Sequence, residues 1–163
     1  MSKFPKPPKE VKVQAALDGL APQFRKALEK TVARMVVLGH KPRIFETVRT
    51  AERQAFLYGF GRKYDDGRGV VTNSQSNLKT WHGYGLAADI VEDDATPWNA
   101  TSAFWNDLGA CAEACGLEWG GRWRFLDLPH VQWGKCRRSP SQVAINALAK
   151  HGVAEVWRLC RAR

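Results

Sequence analysis

Two glycines constrain the middle of this chain more than any other feature. Trp81-His82-Gly83-Tyr84-Gly85 runs directly into Leu86-Ala87-Ala88-Asp89-Ile90-Val91. His82 and Asp89 are seven residues apart, which on a helix would place both on one face. Gly83 and Gly85 oppose a helix there, and the apolar run 86–91 has the character of a buried strand. On a straight strand an odd separation points two side chains to opposite faces. A glycine turn removes the conflict, because it folds the segment bearing His82 back over the strand bearing Asp89. A second segment, Asp127-Leu128-Pro129-His130-Val131-Gln132-Trp133, can bring His130 in from a neighbouring strand. A third, Thr47-Val48-Arg49-Thr50-Ala51-Glu52-Arg53-Gln54, places Arg49 at the end of a predicted strand.

Around this centre, helical and strand periodicities mix without a regular βαβ alternation. Phe24, Leu28, Val32 and Met35 recur at helical spacing and predict a helix over 20–38, ended by Gly39. Strands are predicted at 43–48, 86–91, 117–119, 123–126 and 130–133. Thr50 caps a helix from Ala51 to Tyr58, and Thr101 caps one reaching Cys115, with Gly116 as its stop. Residues 59–79 hold four glycines and little apolar content, so they form a long loop of the kind that is often functional. Ser139-Pro140 opens a helix to about Lys150, Gly152 breaks it, and a last helix runs to Cys160. The class that follows is α+β. The expected organisation is a catalytic domain over 1–134, whose residues 1–12 are a mobile basic arm. A basic helical extension over 135–163 packs on it or is tethered to it.

Two imidazoles and one carboxylate complete a catalytic zinc shell that keeps a fourth position for water. His82, Asp89 and His130 supply that set. Hydrolysis then needs a group to take and return a proton, and Asp127, stiffened by Pro129, suits the role of general base. The always-charged guanidinium of Arg49 suits a developing oxyanion or a substrate carboxylate. Plainer readings stand beside these. A histidine can belong to the core or the surface, Asp127 can simply turn the chain, and Arg49 can sit in a surface ion pair. Trp81, Trp119, Trp123 and Trp133 read mainly as core aromatics. Spacing alone leaves the metal site and these alternatives about level. Glu92, Asp93 and Asp94 read as a solvated turn, since the EF-hand ligand pattern is missing. Cys111, Cys115, Cys136 and Cys160 contain no CxxC pair and read as core packing.

Taken together and in order, these segments resemble the zinc D-alanyl-D-alanine carboxypeptidase family, and within it the phage and bacterial L-alanyl-D-glutamate endopeptidases. The family pattern is an Arg followed by a Gln, then Ser/Thr-x-His-x₆-Asp, then Asp/Glu-x-x-His near a Trp. Arg49 with Gln54, Thr80-Trp81-His82 through Asp89, and Asp127-Leu128-Pro129-His130 with Trp133 match it. Leu117-Glu118-Trp119-Gly120-Gly121-Arg122-Trp123 resembles the segment that precedes the last histidine. The resemblance spans about residues 43–133. It implies a small α+β domain with a central, mainly antiparallel sheet flanked by helices. It implies Zn²⁺ held by His82, Asp89 and His130, Asp127 as base, and Arg49 assisting at the carbonyl or carboxylate. Gln54 and Thr80 are implied as substrate-binding residues and a peptidoglycan stem peptide as substrate. Thr80 stands where Ser is common, and Val131 where an aromatic is common. The expected activity is an L-alanyl-D-glutamate endopeptidase of endolysin type. A D-alanyl-D-alanine carboxypeptidase or dipeptidase is the alternative.

Charge adds a second expectation. The chain has 163 residues, with 25 Lys and Arg against 16 Asp and Glu, a net charge of +9. Residues 13–134 carry fourteen of each sign, so the whole excess lies in the two ends. Basic ends on a neutral body favour a polyanion such as an anionic cell-wall polymer or membrane surface. A basic nucleic-acid-binding protein is a distant alternative, because no zinc-finger spacing or RNA-recognition signature occurs. No run approaches the roughly 20 apolar residues of a membrane-spanning helix, and the first residues lack a secretory apolar region. The expectation is therefore a monomer residing in the host cytoplasm and acting on the wall after release.

Overall fold

A computed structural model of the chain describes residues 3–163. Met1 and Ser2, the start of the expected basic arm, lie outside the described residues. Helix α1 (Pro22–Val37) begins with the proline that a first helical turn accepts. It buries Phe24, Leu28 and Met35 on one face. Strand β1 (Pro42–Glu46) and helix α2 (Ala51–Gly59) follow, and the Thr50 side chain accepts the Arg53 amide as the N-cap of α2. Strand β2 (Ala87–Glu92), helix α3 (Ser102–Ala114) and strands β3 (Leu117–Trp119) and β4 (His130–Trp133) complete the body. Helices α4 (Gln142–His151) and α5 (Val153–Leu159) form the C-terminal end.

The four strands form one sheet in the order β1-β2-β4-β3, and every pairing is antiparallel. This is the α+β arrangement expected. Strand alternation sends Asp89, His130 and Gln132 to one face and Ala88, Ile90, Val131 and Trp133 to the other. The second face packs under α1 and α3 in a core that includes Phe24, Leu28, Phe104 and Leu108. Register then places polar residues side by side on the first face. Asp89 lies opposite His130 on one side and opposite Glu46 on the other. The pairing of β1 slips between Ile44 and Glu46. That bulge brings Glu46 beside Asp89 where a regular ladder would have brought Phe45.

Two strand expectations change. The predicted strand 43–48 ends at Glu46, because Thr47 turns away and donates to the Gln14 and Ala16 carbonyls. The predicted strand 123–126 does not form. A 3-10 turn at Gly120–Arg122 is followed by an open loop, with Phe125 and Leu126 exposed. The Trp123 and Asp127 amides both donate to the Gly120 carbonyl and close the segment on itself.

The C-terminal helices share the core of the body. Ala144, Ala147, Val156 and Ala162 join it. The Trp157 indole donates to the Tyr84 carbonyl (2.6 Å), and Trp133 donates to the Cys160 carbonyl (2.8 Å). Residues near the N-terminus lie along α2, where Arg53 donates to Glu10 and to the Val11 carbonyl. Among the described residues no helix is long and apolar enough to cross a membrane.

Tyr84 belongs to the turn that presents His82, and Gly85 ends it with φ +66°. A Cβ at Gly85 would collide with the Gly19 carbonyl oxygen. Gly85→Ala is therefore expected to lower unfolding free energy by about 2–3 kcal/mol, combining left-handed strain with a backbone clash. Urea denaturation with an unchanged m-value checks this, and a wild-type midpoint would refute the constraint assigned to this turn.

Candidate active site

His82 sits in the 3-10 turn Trp81–Tyr84 and is buried. Its Nδ1 lies 2.8 Å from the Thr47 carbonyl oxygen. A carbonyl only accepts, so Nδ1 carries the proton and Nε2 offers a lone pair. The His82 carbonyl in turn accepts the Arg49 amide, tying the turn to the end of β1. His130 has the opposite tautomer. Its Nε2 donates to Gln132 Oε1 (3.0 Å), which leaves Nδ1 as the acceptor. The Gln132 amide orientation follows from its nitrogen, which donates to Glu118 and to the Arg138 carbonyl.

The two lone pairs converge with one oxygen of Asp89. His82 Nε2 and His130 Nδ1 are 3.3 Å apart, and each lies 3.4 Å from Asp89 Oδ1. A tetrahedral zinc with bonds of ~2.0–2.1 Å has ligand–ligand edges of about 3.3–3.4 Å. The triangle therefore fits one face of such a shell, and two imidazole nitrogens with a carboxylate oxygen are donors that zinc accepts. Among the described residues this is the one group with the spacing to hold a metal ion, and no cysteine belongs to it.

Asp89 is held by a buried ionic network. Burial alone would raise its carboxyl pKa, but His82, His130 and Arg49 outweigh it and keep the group well below the usual carboxylate range. Arg49 Nη2 donates to Asp89 Oδ2 (3.2 Å), leaving Oδ1 for the triangle. Arg49 also donates twice to Glu46 and once to Gln54, so four of its five N–H groups are engaged. Glu46 is 2% exposed and also accepts from Arg53. Gln54 is fully buried, and its amide nitrogen donates to Thr72 and to the Ser74 carbonyl. Gln54 thus stands behind Arg49 and ties it to the loop over 72–74. The Thr80 hydroxyl makes no hydrogen bond among the described residues, and Thr80 precedes the turn that bears His82.

Asp127 is half-exposed, with Oδ2 4.0 Å from His130 Nδ1. Loss of solvent raises its carboxyl pKa and the charge of Asp89 adds to this, while His130 opposes it. Gly120 positions this residue. Its carbonyl accepts the Asp127 amide (3.1 Å), and a Cβ on Gly120 would collide with the Asp127 carbonyl oxygen. The His130 amide closes the turn on the Asp127 carbonyl (3.2 Å). Trp123 lies against the His130 ring, with centroids 5.0 Å apart, and donates from its indole to Glu118 (2.6 Å).

The structure thus gathers His82, Asp89, His130, Asp127 and Arg49 at one place. Sequence reasoning missed Glu46, Arg53, Gln132 and Glu118. A signal existed for one of them: Gln132 follows His130 by two residues and so shares its strand face.

The family model described as D-alanyl-D-alanine carboxypeptidase, of peptidase family M15, matches residues 73–133. That span contains His82, Asp89, Asp127 and His130 and excludes Arg49 and Gln54. The fold is similar to the crystal structure of the Serratia marcescens L-Ala D-Glu endopeptidase ChiX. The TM-score is 0.55 at 20% identity, over 77% of this chain and 91% of that one. It is also similar to the LD-carboxypeptidase LdcB, with a TM-score of 0.50 at 11% identity, over 94% of this chain and 74% of that one. No curated protein matches by sequence.

Gln132 is expected to fix the tautomer of His130. Gln132→Leu should weaken zinc binding by about 10–100-fold, the usual loss for an outer partner of a metal-bound histidine. Gln132→Glu, which keeps the acceptor, should lose less. Competition with a chromophoric chelator measures both, and wild-type affinity in Gln132→Leu would show that the bond is dispensable.

Proposed function

From the match of residues 73–133 to the family model described as D-alanyl-D-alanine carboxypeptidase, we propose that this protein is a zinc-dependent peptidoglycan peptidase. Its most specific reading is an L-alanyl-D-glutamate endopeptidase that cuts the stem peptides of the bacterial wall. One observation carries the hydrolytic reading. Three buried donors form a zinc-sized triangle, and a half-exposed carboxylate, Asp127, stands at its mouth. The endopeptidase reading draws on the fold likeness to ChiX. Carboxypeptidase action is the second reading, favoured by the family description and by LdcB.

His82 Nε2, His130 Nδ1 and Asp89 Oδ1 would hold the metal. A bound Zn²⁺ supplies Lewis acidity and a water of pKa about 7. Asp127 takes the proton of the attacking water and delivers it to the departing amine. Its position on a loop closed by Gly120 lets it reach both atoms. Arg49 fixes Asp89 through Oδ2, and its one remaining N–H, on Nη1, is a donor for a developing oxyanion. Thr80 offers an unengaged hydroxyl beside the same turn. Strand β4 and Trp123 wall the His130 side and limit water there.

A lytic role follows if stem peptides in intact walls are cut, with the protein made in the host cytoplasm and acting on the wall after release. The basic ends would lengthen its residence on anionic wall polymers or at the membrane surface.

Digestion of purified peptidoglycan by zinc-loaded protein, with a chelated control and mass spectrometry of the new ends, tests the reading. The expected result is new N-terminal D-Glu with free L-Ala carboxyl ends, lost on chelation. Released D-Ala would move the assignment to the carboxypeptidase, and no cleavage would remove peptidoglycan as substrate. Asp127→Ala should lose about 10²–10⁴-fold in turnover, the span of general acid–base catalysis, while keeping stoichiometric zinc. His82→Ala should lose both. Near-normal turnover in Asp127→Ala would overturn the base assignment. Added salt should slow clearing of whole walls more than cleavage of a short soluble peptide. Equal slowing would remove the role given to the basic ends.

A further inference from the structure

Arg138 is an exposed cation that the mechanism above leaves unused. Its guanidinium lies over the Trp123 ring, 4.7 Å from the centroid. Trp123 in turn lies against His130. The Arg138 backbone is fixed as well, since its carbonyl accepts from Gln132, the outer partner of His130. Glu118, the carboxylate in this neighbourhood, receives the Trp123 indole and the Gln132 amide. Arg138 forms no ion pair among the described residues. A guanidinium ordered by an aromatic face loses less freedom when it binds, and its unengaged edge offers a fork that matches a carboxylate.

A groove of about 500 Å³ is lined by Ser139 and Pro140, the residues that follow Arg138, and by Ser74 and Lys79. The Ser74 carbonyl is held by Gln54, and Gln54 holds Arg49. Ser74 in the lining is therefore tied to the site through Gln54, and Arg138, next in sequence to Ser139, is tied to it through Gln132. A groove that holds Lys79 and adjoins Arg138 in sequence favours an anionic ligand over an apolar one.

We propose that Arg138, ordered on Trp123, is a specificity-determining residue that binds a free carboxylate of the acidic peptide substrate, with Lys79 adding charge along the groove. The inference takes its substrate from the peptidase reading above. In peptidoglycan terms the ligand is the α-carboxylate of the γ-linked glutamyl residue.

Two synthetic stem peptides, identical except that this carboxyl is free or amidated, test it. With the zinc-loaded enzyme, Arg138→Ala should raise KM for the free acid about tenfold, the loss expected for one partly exposed charge-assisted contact. It should leave the amidated peptide and both kcat values close to wild type, and Arg138→Lys should recover part of the loss. Equal loss on both peptides, or none on either, would overturn the proposal. Calorimetry in the Asp127→Ala background reads the same preference without turnover. Tighter binding of the free acid, abolished by Arg138→Ala, supports the carboxylate site even if the wild-type enzyme cleaves neither peptide, in which case the peptidase reading alone fails. Equal or absent binding of the two peptides overturns the site.

Discussion

The negative charge on Asp89 is the constraint around which the site is built. A carboxylate taken out of water costs several kcal/mol unless partners replace its solvation. Here the replacement is divided by direction. Arg49 occupies Oδ2, and the two imidazoles approach Oδ1. Glu46 and Gln54 hold Arg49 in place for this through three of its other donors. Glu46 reaches that position through the bulge in β1, and Arg53 of α2 closes the network from outside. The bulge in β1 and the placement of Arg49 together serve this one electrostatic requirement.

The histidines meet a different requirement, that of tautomer. An imidazole can present one lone pair only if its other nitrogen carries a hydrogen. His82 presents Nε2 because Thr47 accepts at Nδ1, and His130 presents Nδ1 because Gln132 accepts at Nε2. The two rings thus approach the same point through different nitrogens. This asymmetry follows from where they are mounted. His82 sits on a turn above the sheet, and its outer nitrogen can reach across. His130 sits on a strand beside Asp89, and the nitrogen nearer its backbone is the one in range.

Much of this was legible in the chain. Gly83 and Gly85 between His82 and Asp89 required a turn before a strand, and the turn and strand β2 are present. Thr50, Thr101 and Gly116 marked helix ends that the structure keeps. The order of the segments carried the family resemblance and, with it, the antiparallel sheet. What stayed hidden depended on register or on distant partners. Nothing local says that Phe45 is bulged, so nothing local pairs Glu46 with Asp89. The strand expected over 123–126 does not form because the carbonyl of Gly120 receives two amides and closes the segment into a loop, a contact that no local pattern announces. The end over 135–163 differs from the body in charge, yet Trp157 and Ala162 complete the core beneath the turn of Tyr84. Charge is a surface property and does not mark where a core ends.

The contrast between the buried candidate ligands and the half-exposed Asp127 has a mechanical basis. His82, Asp89 and His130 come from a sheet and a turn locked by backbone hydrogen bonds, and each is less than a tenth exposed. Asp127 comes from a loop anchored at Gly120 and at the His130 amide, with Phe125 and Leu126 projecting from it. A ligand triangle tolerates little movement, because displacing one donor changes every edge. A base that must take a proton at one atom and return it at another needs some travel. Rigid mounting of the triangle and loop mounting of Asp127 suit the roles proposed for them, and the anchors at Gly120 and His130 keep Asp127 in the neighbourhood of the triangle.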